Sequence, residues 1–290
     1  MPGTLYLVST PIGNLEDITL RALRVLRDEV SFIACEDTRQ TLKLLSHFSI
    51  HKKLVSYHEH NETARAAEII QEIEEGASAA LVSDAGTPLL SDPGFRVVQA
   101  AAERGIPVVP IPGASAALAA LAASGLATDS FLFIGFLPSK STARRRKLEE
   151  ISRENTTLVL YESPHRILDT LADISETLGP ERKIVLAREL TKLHEEFLRG
   201  SAAEIKKLLE ARPSIKGEIT LVIGRAEGEP QTGDSVAMVR MREQEGLSRM
   251  EAIKSVAKQM GLPKREVYRA VEEQGNNRPD RSRGSEGTGR

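Results

Sequence analysis

Short apolar runs alternate with helix-period patterns along the first 110 residues, at positions 4–9, 22–26, 32–34, 63–75, 79–83, 95–103 and 108–111. That alternation predicts an α/β fold. Leu5-Tyr6-Leu7-Val8, Ala80-Leu81-Val82 and Val108-Val109-Pro110-Ile111 are too short for helices and apolar on both faces, which predicts strands of a mainly parallel sheet flanked by helices. Ala66, Ala67, Ile69, Ile70 and Ile73 recur at helical spacing and stop at Gly76, a residue suited to the position just past a helix end. A second α/β unit is predicted over 112–226, with strands at 131–135, 157–161, 183–187 and 219–224 and helices at 114–123, 166–178 and 203–211. The junction at 111–112 is short, so the two units are expected to share a cleft.

Residues 227–234 form a polar Gly/Pro linker. Beyond it, helices are predicted at 236–244, 248–259 and 263–273. Ser248 and Glu251 have capping-box spacing, Pro263 stands at a helix start, and Val267, Tyr268 and Val271 are expected to face inward. The expected organisation is therefore a domain at 1–111, a second at 112–226, a linker, a helix-turn-helix-like module at 235–275 and a disordered tail at 276–290. A small docking or dimer-contact bundle is the alternative reading of that module.

Composition narrows the function classes. The 290-residue chain carries 39 basic and 41 acidic residues, which excludes the overall basic coat of many nucleic-acid binders. Charge is uneven, however: residues 235–290 hold twelve Lys/Arg against eight Asp/Glu, a net of +4, which leaves −6 for the rest. With no Trp and 4% aromatics, base-stacking platforms are not expected. One cysteine, Cys35, excludes an internal disulfide framework, and no apolar run reaches the length of a membrane span, so a cytoplasmic protein without a membrane partner is expected. The six histidines lack metal-ligand spacing, and Gly-x-Gly-x-x-Gly, P-loop and His-Glu-x-x-His patterns are missing. No metal site is expected.

Candidate chemistry lies in loops that follow strands, where open α/β sheets bind ligands. Three are rich in Gly, Pro, Ser and Thr: Ser9-Thr10-Pro11-Ile12-Gly13-Asn14-Leu15, the run from Ser83-Asp84-Ala85-Gly86-Thr87-Pro88 to Ser91-Asp92-Pro93-Gly94, and Pro112-Gly113-Ala114-Ser115-Ala116. Glycines let backbone approach a ligand, and a helix start after Gly113 offers donors to a carboxylate. Two charged clusters also follow strands, Glu36-Asp37-Thr38-Arg39 and Tyr161-Glu162-Ser163-Pro164-His165-Arg166; either also reads as a helix start. Lys140, Arg144, Arg145, Arg146 and Lys147 form a basic run, readable as a solvated helix or as a phosphate-contacting segment.

Taken together and in this order, those loops resemble the tetrapyrrole methylase family, the class III S-adenosylmethionine-dependent methyltransferases, over about residues 3–224. The resemblance implies a tetrapyrrole-methylase-like fold: two α/β domains with the methyl donor folded in the cleft between them, usually as a homodimer, and here a small C-terminal helical module. Corrin-acting members typically carry Gly-Asp-Pro where this chain has Ser83-Asp84-Ala85-Gly86-Thr87-Pro88, which points to the family's RNA branch. It implies 2′-O-ribose methylation of a decoding-region cytidine of 16S rRNA in the assembled 30S subunit. The alternatives are a corrin-precursor methyltransferase and a non-catalytic RNA-binding assembly factor. Donor contacts are expected at Asp84, Ala85, Gly86, Thr87, Pro88, Ala114, Ser115, Ala116, Tyr161, Ala187 and Glu189. Because a ribose hydroxyl is a weak acid, a base is sought among Glu36, Asp37 and Glu162, with His58 as an alternative; Arg39 or Arg166 would position a phosphate. Lys140, Arg144, Arg145, Arg146 and Arg166 are the expected RNA contacts.

Overall fold

The computed structural model describes residues 2–152, 154–226, 235–260 and 262–276, without the side chains of 273–276. Residues 1–226 and 227–290 cluster as two compact units. The expected linker at 227–234 lies outside the described residues, as do residues 277–290 of the expected tail; Asn276 closes the last helix.

The first unit holds two five-stranded sheets. One comprises β1 (Leu5–Val8), β2 (Phe32–Cys35), β3 (Lys53–Ser56), β4 (Ala79–Val82) and β5 (Val108–Ile111), in the order β3-β2-β4-β1-β5 and parallel throughout. Its helices are α1 (Leu20–Arg24), which continues as a π-helical segment over Val25–Glu29, α2 (Thr38–His47), α3 (Glu62–Glu74) and α4 (Phe95–Glu103). Successive strand side chains point to opposite faces. Accordingly Leu5, Phe32, Ala34, Ala79 and Leu81 meet α3 and α4 on one face, while Val8, Ile33, Cys35, Ala80 and Val82 meet α1 and α2 on the other. The helix α3 buries Ala66, Ile69, Ile70 and Ile73, each isoleucine contributing about 1.5 to 3 kcal/mol, and Gly76 follows its end at φ 105°.

The second sheet is mixed. Its strands are β6 (Phe131–Phe136), β7 (Thr157–Glu162), β8 (Lys183–Arg188), β9 (Glu196–Ser201) and β10 (Ile219–Ile223), in the order β6-β7-β10-β8-β9. Strands β6 and β7 run parallel, whereas β10 is antiparallel to both β7 and β8, and β9 to β8. Helices α6 (Ser141–Ser152), α7 (Ile167–Leu178) and α8 (Ala202–Glu210) cover one face through Leu158, Leu160, Leu186 and Leu221. The other face packs Val159, Val185, Ala187 and Val222 against α5 (Ala116–Ser124).

Edge strand β9 is tied down by Glu196. Its Oε1 accepts from Arg212 Nη2 at 2.6 Å, and its Oε2 from Arg212 Nη1 at 2.8 Å and Arg188 Nε at 3.0 Å. The hydrogen bonds from Arg212, ahead of the one from Arg188, hold the carboxyl at about 2 against an ordinary value of 4.5. A folded-state value below the unfolded one stabilises above about pH 4.5, and that stability is lost as the pH falls toward 2. Glu196→Gln is expected to cost about 1 to 2 kcal/mol at pH 7 and little at pH 2.5, measured by urea unfolding. An equal loss at both pH values would show that shape, and not charge, matters there.

The second unit contains α9 (Ser235–Gln244), α10 (Arg249–Met260) and α11 (Lys264–Asn276) around Val236, Val239, Ile253, Val256, Val267 and Val271. Ser248 caps α10 as its spacing predicts: its Oγ accepts from Glu251 N at 3.4 Å, while its own N donates to Glu251 Oε2 at 3.1 Å. Tyr268 does not face inward; it is 46% exposed, one position round the helix from Val267. Among the described residues no helix is long and apolar enough to cross a membrane.

Candidate active site

The parallel sheet brings the ends of β1, β2, β4 and β5 to one edge, and the loops leaving them hold one another. Thr10 N donates to Gly86 O at 2.9 Å and Gly86 N to Thr10 O at 3.1 Å. Thr10 Oγ1 donates to Ser83 O, and Thr87 Oγ1 donates to Ala114 O and shares a hydrogen bond with Ser9 Oγ. The β4 loop takes this path because Gly86 adopts φ 83°, a left-handed conformation disfavoured for a side chain. Across the cleft, Asn14 N donates to Thr191 Oγ1 at 3.1 Å, which links the β1 loop to the segment after β8.

Between the sheets lies a cavity of about 310 Å3. Ile12, the Ala85-Gly86-Thr87 turn and Leu90-Ser91-Asp92 wall one side; Ser115 and Ala116, at the start of α5, form its end. Phe136, Tyr161 to Pro164 and Gly217 to Thr220 close it from the second sheet. The Phe136 and Tyr161 rings stand 5.7 Å apart. A second cavity, of about 460 Å3, shares Ile12, Ala85 and Glu218 with the first and is lined by Gln40, Lys43, Asp84 and Lys192. The first offers apolar walls, two aromatic rings suited to a cation or a base, glycine backbone at Gly86 and Gly217, and hydroxyls at Thr87, Ser115 and Thr220. That donor set fits S-adenosylmethionine, an adenosyl group joined to a sulfonium and an amino-acid end.

Ala85, Gly86, Thr87, Ser115, Ala116, Tyr161 and Glu162 thus meet at the first cavity, and Asp84 at the second. Pro88 and Ala114 line neither; Ala114 contributes the carbonyl that holds Thr87. Ala187 and Glu189 do not reach the cavity. Ala187 is fully buried and paired with Thr220, and Glu189 lies behind Gly217, where an added Cβ would come within 2.4 Å of its side chain. Lys192, whose Nζ is 2.8 Å from Glu189 Oε1, leads the interactions that hold the Glu189 carboxyl below the usual range. Strand β10 stands between these residues and the ligand space.

The candidate bases separate. Asp37 caps α2, accepting from Arg39 N at 2.8 Å and from the Arg39 guanidinium, which holds its carboxyl down. Arg39 itself points to solvent from that pair. Glu162 is buried and used: its Oε2 accepts from Thr170 Oγ1 at 2.6 Å and from Arg166, its Oε1 from Ser163 N. Glu36 is exposed and lines neither cavity, although burial of its carboxyl, then Asp84 and Glu59, push its pKa up. His58 fixes a turn, with its backbone N donating to Asn61 Oδ1.

The basic run also divides. Arg144 is not a surface contact: it is 3% exposed, and its Nε donates to Asp173 Oδ2 at 2.6 Å. Arg145 bonds Asp173 and Glu176, whereas Lys140 and Arg146 are exposed. Arg166 is half-buried and donates to Leu137 O and Glu162, clamping the end of β6 to that of β7. Leu90 to Asp92 belong to the β4 loop expected to meet a ligand, whereas Phe136, Gly217 to Thr220, Gln40, Lys43, Leu44 and Lys192 are unanticipated contributors to the cavities.

Comparison with known proteins agrees with this geometry. Residues 4–206 match the family model described as Tetrapyrrole (Corrin/Porphyrin) Methylases. A relative from Halalkalibacterium halodurans named "Ribosomal RNA small subunit methyltransferase I" is 52% identical over 274 residues, covering 92% of this chain and 93% of its own. The uroporphyrin-III-C-methyltransferase of Thermus thermophilus superposes with a TM-score of 0.54 at 25% identity, over 77% of this chain and 94% of its own. Another structure from that organism, complexed with S-adenyl homocysteine, gives 0.53 at 19% identity, over 77% and 97%. The folding of two such sheets about a loop-lined cleft and the match over most of the chain lead to one conclusion: this chain belongs to the tetrapyrrole (corrin/porphyrin) methylase family.

Proposed function

We propose that the protein transfers a methyl group from S-adenosylmethionine to the ribose 2′-hydroxyl of a decoding-region cytidine of 16S rRNA, in the assembled 30S subunit. The observation that carries this reading is the pair of adjoining cavities that share Ile12, Ala85 and Glu218. The first suits the donor, and the second offers the Lys43 cation and the Gln40 amide to a polyanionic acceptor at the shared wall, with Lys192 committed to Glu189 and Glu218. The name carried by the 52%-identical relative supports rRNA as the acceptor class. Ala85, Gly86, Thr87, Ser115, Ala116 and Tyr161 would hold the donor, which supplies an electrophilic methyl carbon when bound. The chain's task is to place an oxygen in line with that carbon and keep water out. Lys140 and Arg146 remain the contacts offered to RNA phosphates outside the cleft, with Arg145 partly committed to Asp173 and Glu176.

Label transfer from methyl-labelled S-adenosylmethionine tests the reading, with 30S subunits lacking the modification, naked 16S rRNA and a tetrapyrrole precursor in parallel. Label at a ribose 2′-oxygen of the 30S subunit is the expected result. Label on the tetrapyrrole alone, or none from a protein that binds donor, would overturn the rRNA assignment.

A further inference from the structure

Three carboxylates line the donor cavity, and two are committed. Glu162 is taken by Thr170, Arg166 and Ser163, and Glu218 by Lys192 at 2.9 Å. Among the described residues no basic side chain pairs the third, Asp92. Its place is built into the fold. Leu89 and Ser91, on the approach to it, adopt φ 73° and 69°, which costs non-glycine residues about 1 kcal/mol or more each and persists only where the surroundings enforce it. One source of that enforcement is β6, whose register shifts between Phe133 and Gly135. Gly135 lies against the loop so closely that an added Cβ would stand 2.8 Å from Ser91 Oγ. The bulged glycine thus admits the β4 loop, and the loop seats Asp92 in the cavity wall together with Leu90 and Ser91.

We propose that Asp92 is the catalytic base that takes the proton from the acceptor hydroxyl, an inference resting on the methyl-transfer function proposed above. In that step the O–H bond breaks and its proton passes to the Asp92 carboxylate. The oxygen forms a bond to the methyl carbon while the S–CH3 bond breaks, and its electron pair returns to sulfur to leave a neutral thioether. The charged and titratable groups around Asp92 suit the task. Burial first, then Glu36 from the β2 loop and Asp84 from its own loop, raise its carboxyl to about 6, with the Ser83 hydroxyl opposing; Tyr161 faces it from β7. A base at that value is ionised at neutral pH and still basic enough to accept a proton.

Asp92→Asn in the full chain tests this on 30S subunits. Expected are a fall in kcat of about 100-fold, S-adenosylhomocysteine affinity within twofold of wild type, and loss of the acid limb on which wild-type kcat rises through about pH 6. Asp92→Glu should restore part of kcat and keep that limb. A kcat within threefold of wild type overturns the proposal, as does a parallel loss of donor affinity, which would make Asp92 a donor ligand. Should Asp92→Asn fail to fold, a wild-type profile flat between pH 5 and 7 overturns it, and a limb retained by Asp92→Glu supports it. Absence of any wild-type transfer to 30S sinks the rRNA reading and this role together, whereas wild-type transfer with an unimpaired variant sinks the role alone.

Discussion

Asp173→Ala is expected to lower folding stability by about 3 to 5 kcal/mol, a large part of what a protein of this size has to lose. Asp173 lies on α7, buried, and receives Arg144 Nε at 2.6 Å, Arg145 Nε at 2.7 Å and Ser141 Oγ at 3.0 and 3.1 Å from α6. Burial alone would push its carboxyl up, but the hydrogen bonds from Arg145, Arg144 and Ser141 outweigh it and the net direction is down. Removing the carboxylate leaves the Arg144 guanidinium 3% exposed with only Ser139 O to receive it. Unfolding an uncompensated buried charge is easier than unfolding a neutral core, so the double variant Arg144→Met, Asp173→Leu should recover most of the loss. Urea denaturation of the three proteins measures this. A loss below about 1 kcal/mol for Asp173→Ala would mean that Arg144 finds water, and would return it to the set of possible RNA contacts.

Ala116→Phe should weaken S-adenosylhomocysteine binding about 1,000-fold, or roughly 4 kcal/mol, while the melting temperature stays within a few degrees. Ala116 is the first residue of α5, after the Ser115 cap whose Oγ accepts from Leu118 N. Its half-exposed side chain borders open cavity, so the added ring has space in the empty protein and occupies the donor's volume. Calorimetric titration decides the matter. Unaltered affinity would place the donor in the neighbouring cavity beside Lys43 and Lys192 and exchange the two proposed occupants.

Much of the fold was legible because its central strands are buried on both faces and therefore read as unbroken apolar runs. Leu5–Val8 and Ala79–Val82 are of this kind. The two strands that escaped, Lys53–Ser56 and Glu196–Ser201, are sheet edges with polar residues and only partial burial, and nothing in their local pattern distinguishes them from loop. The site was legible where loops follow strands of the parallel sheet. Gly217 to Thr220 are hidden from sequence because ligand loops of open sheets follow strands, whereas β10, running antiparallel to β7, brings its beginning to the ligand edge. Ala187 and Glu189 are expected there from the family resemblance; β8 does end at that edge, with Arg188 opposite Ile219, but β10 separates it from β7. Strand direction depends on pairing across the sheet, which a local pattern does not encode. Arg144 was misplaced because five cations in an eight-residue stretch look alike in sequence; only the turn of α6 toward Asp173 separates the buried one.

The strand order β3-β2-β4-β1-β5 also governs assembly on the ribosome. Both neighbours of the first strand made are synthesised long afterwards: Leu5–Val8 awaits Ala79–Val82 on one side and Val108–Ile111 on the other. At roughly 5 to 20 residues per second, the interval before its first partner emerges lasts several seconds. Meanwhile β2 and β3 can pair across the short α2 connection, leaving the apolar amino-terminal segment without a mate. A nascent chain of this fold therefore offers the apolar first strand of this sheet to chaperones before it offers it to itself.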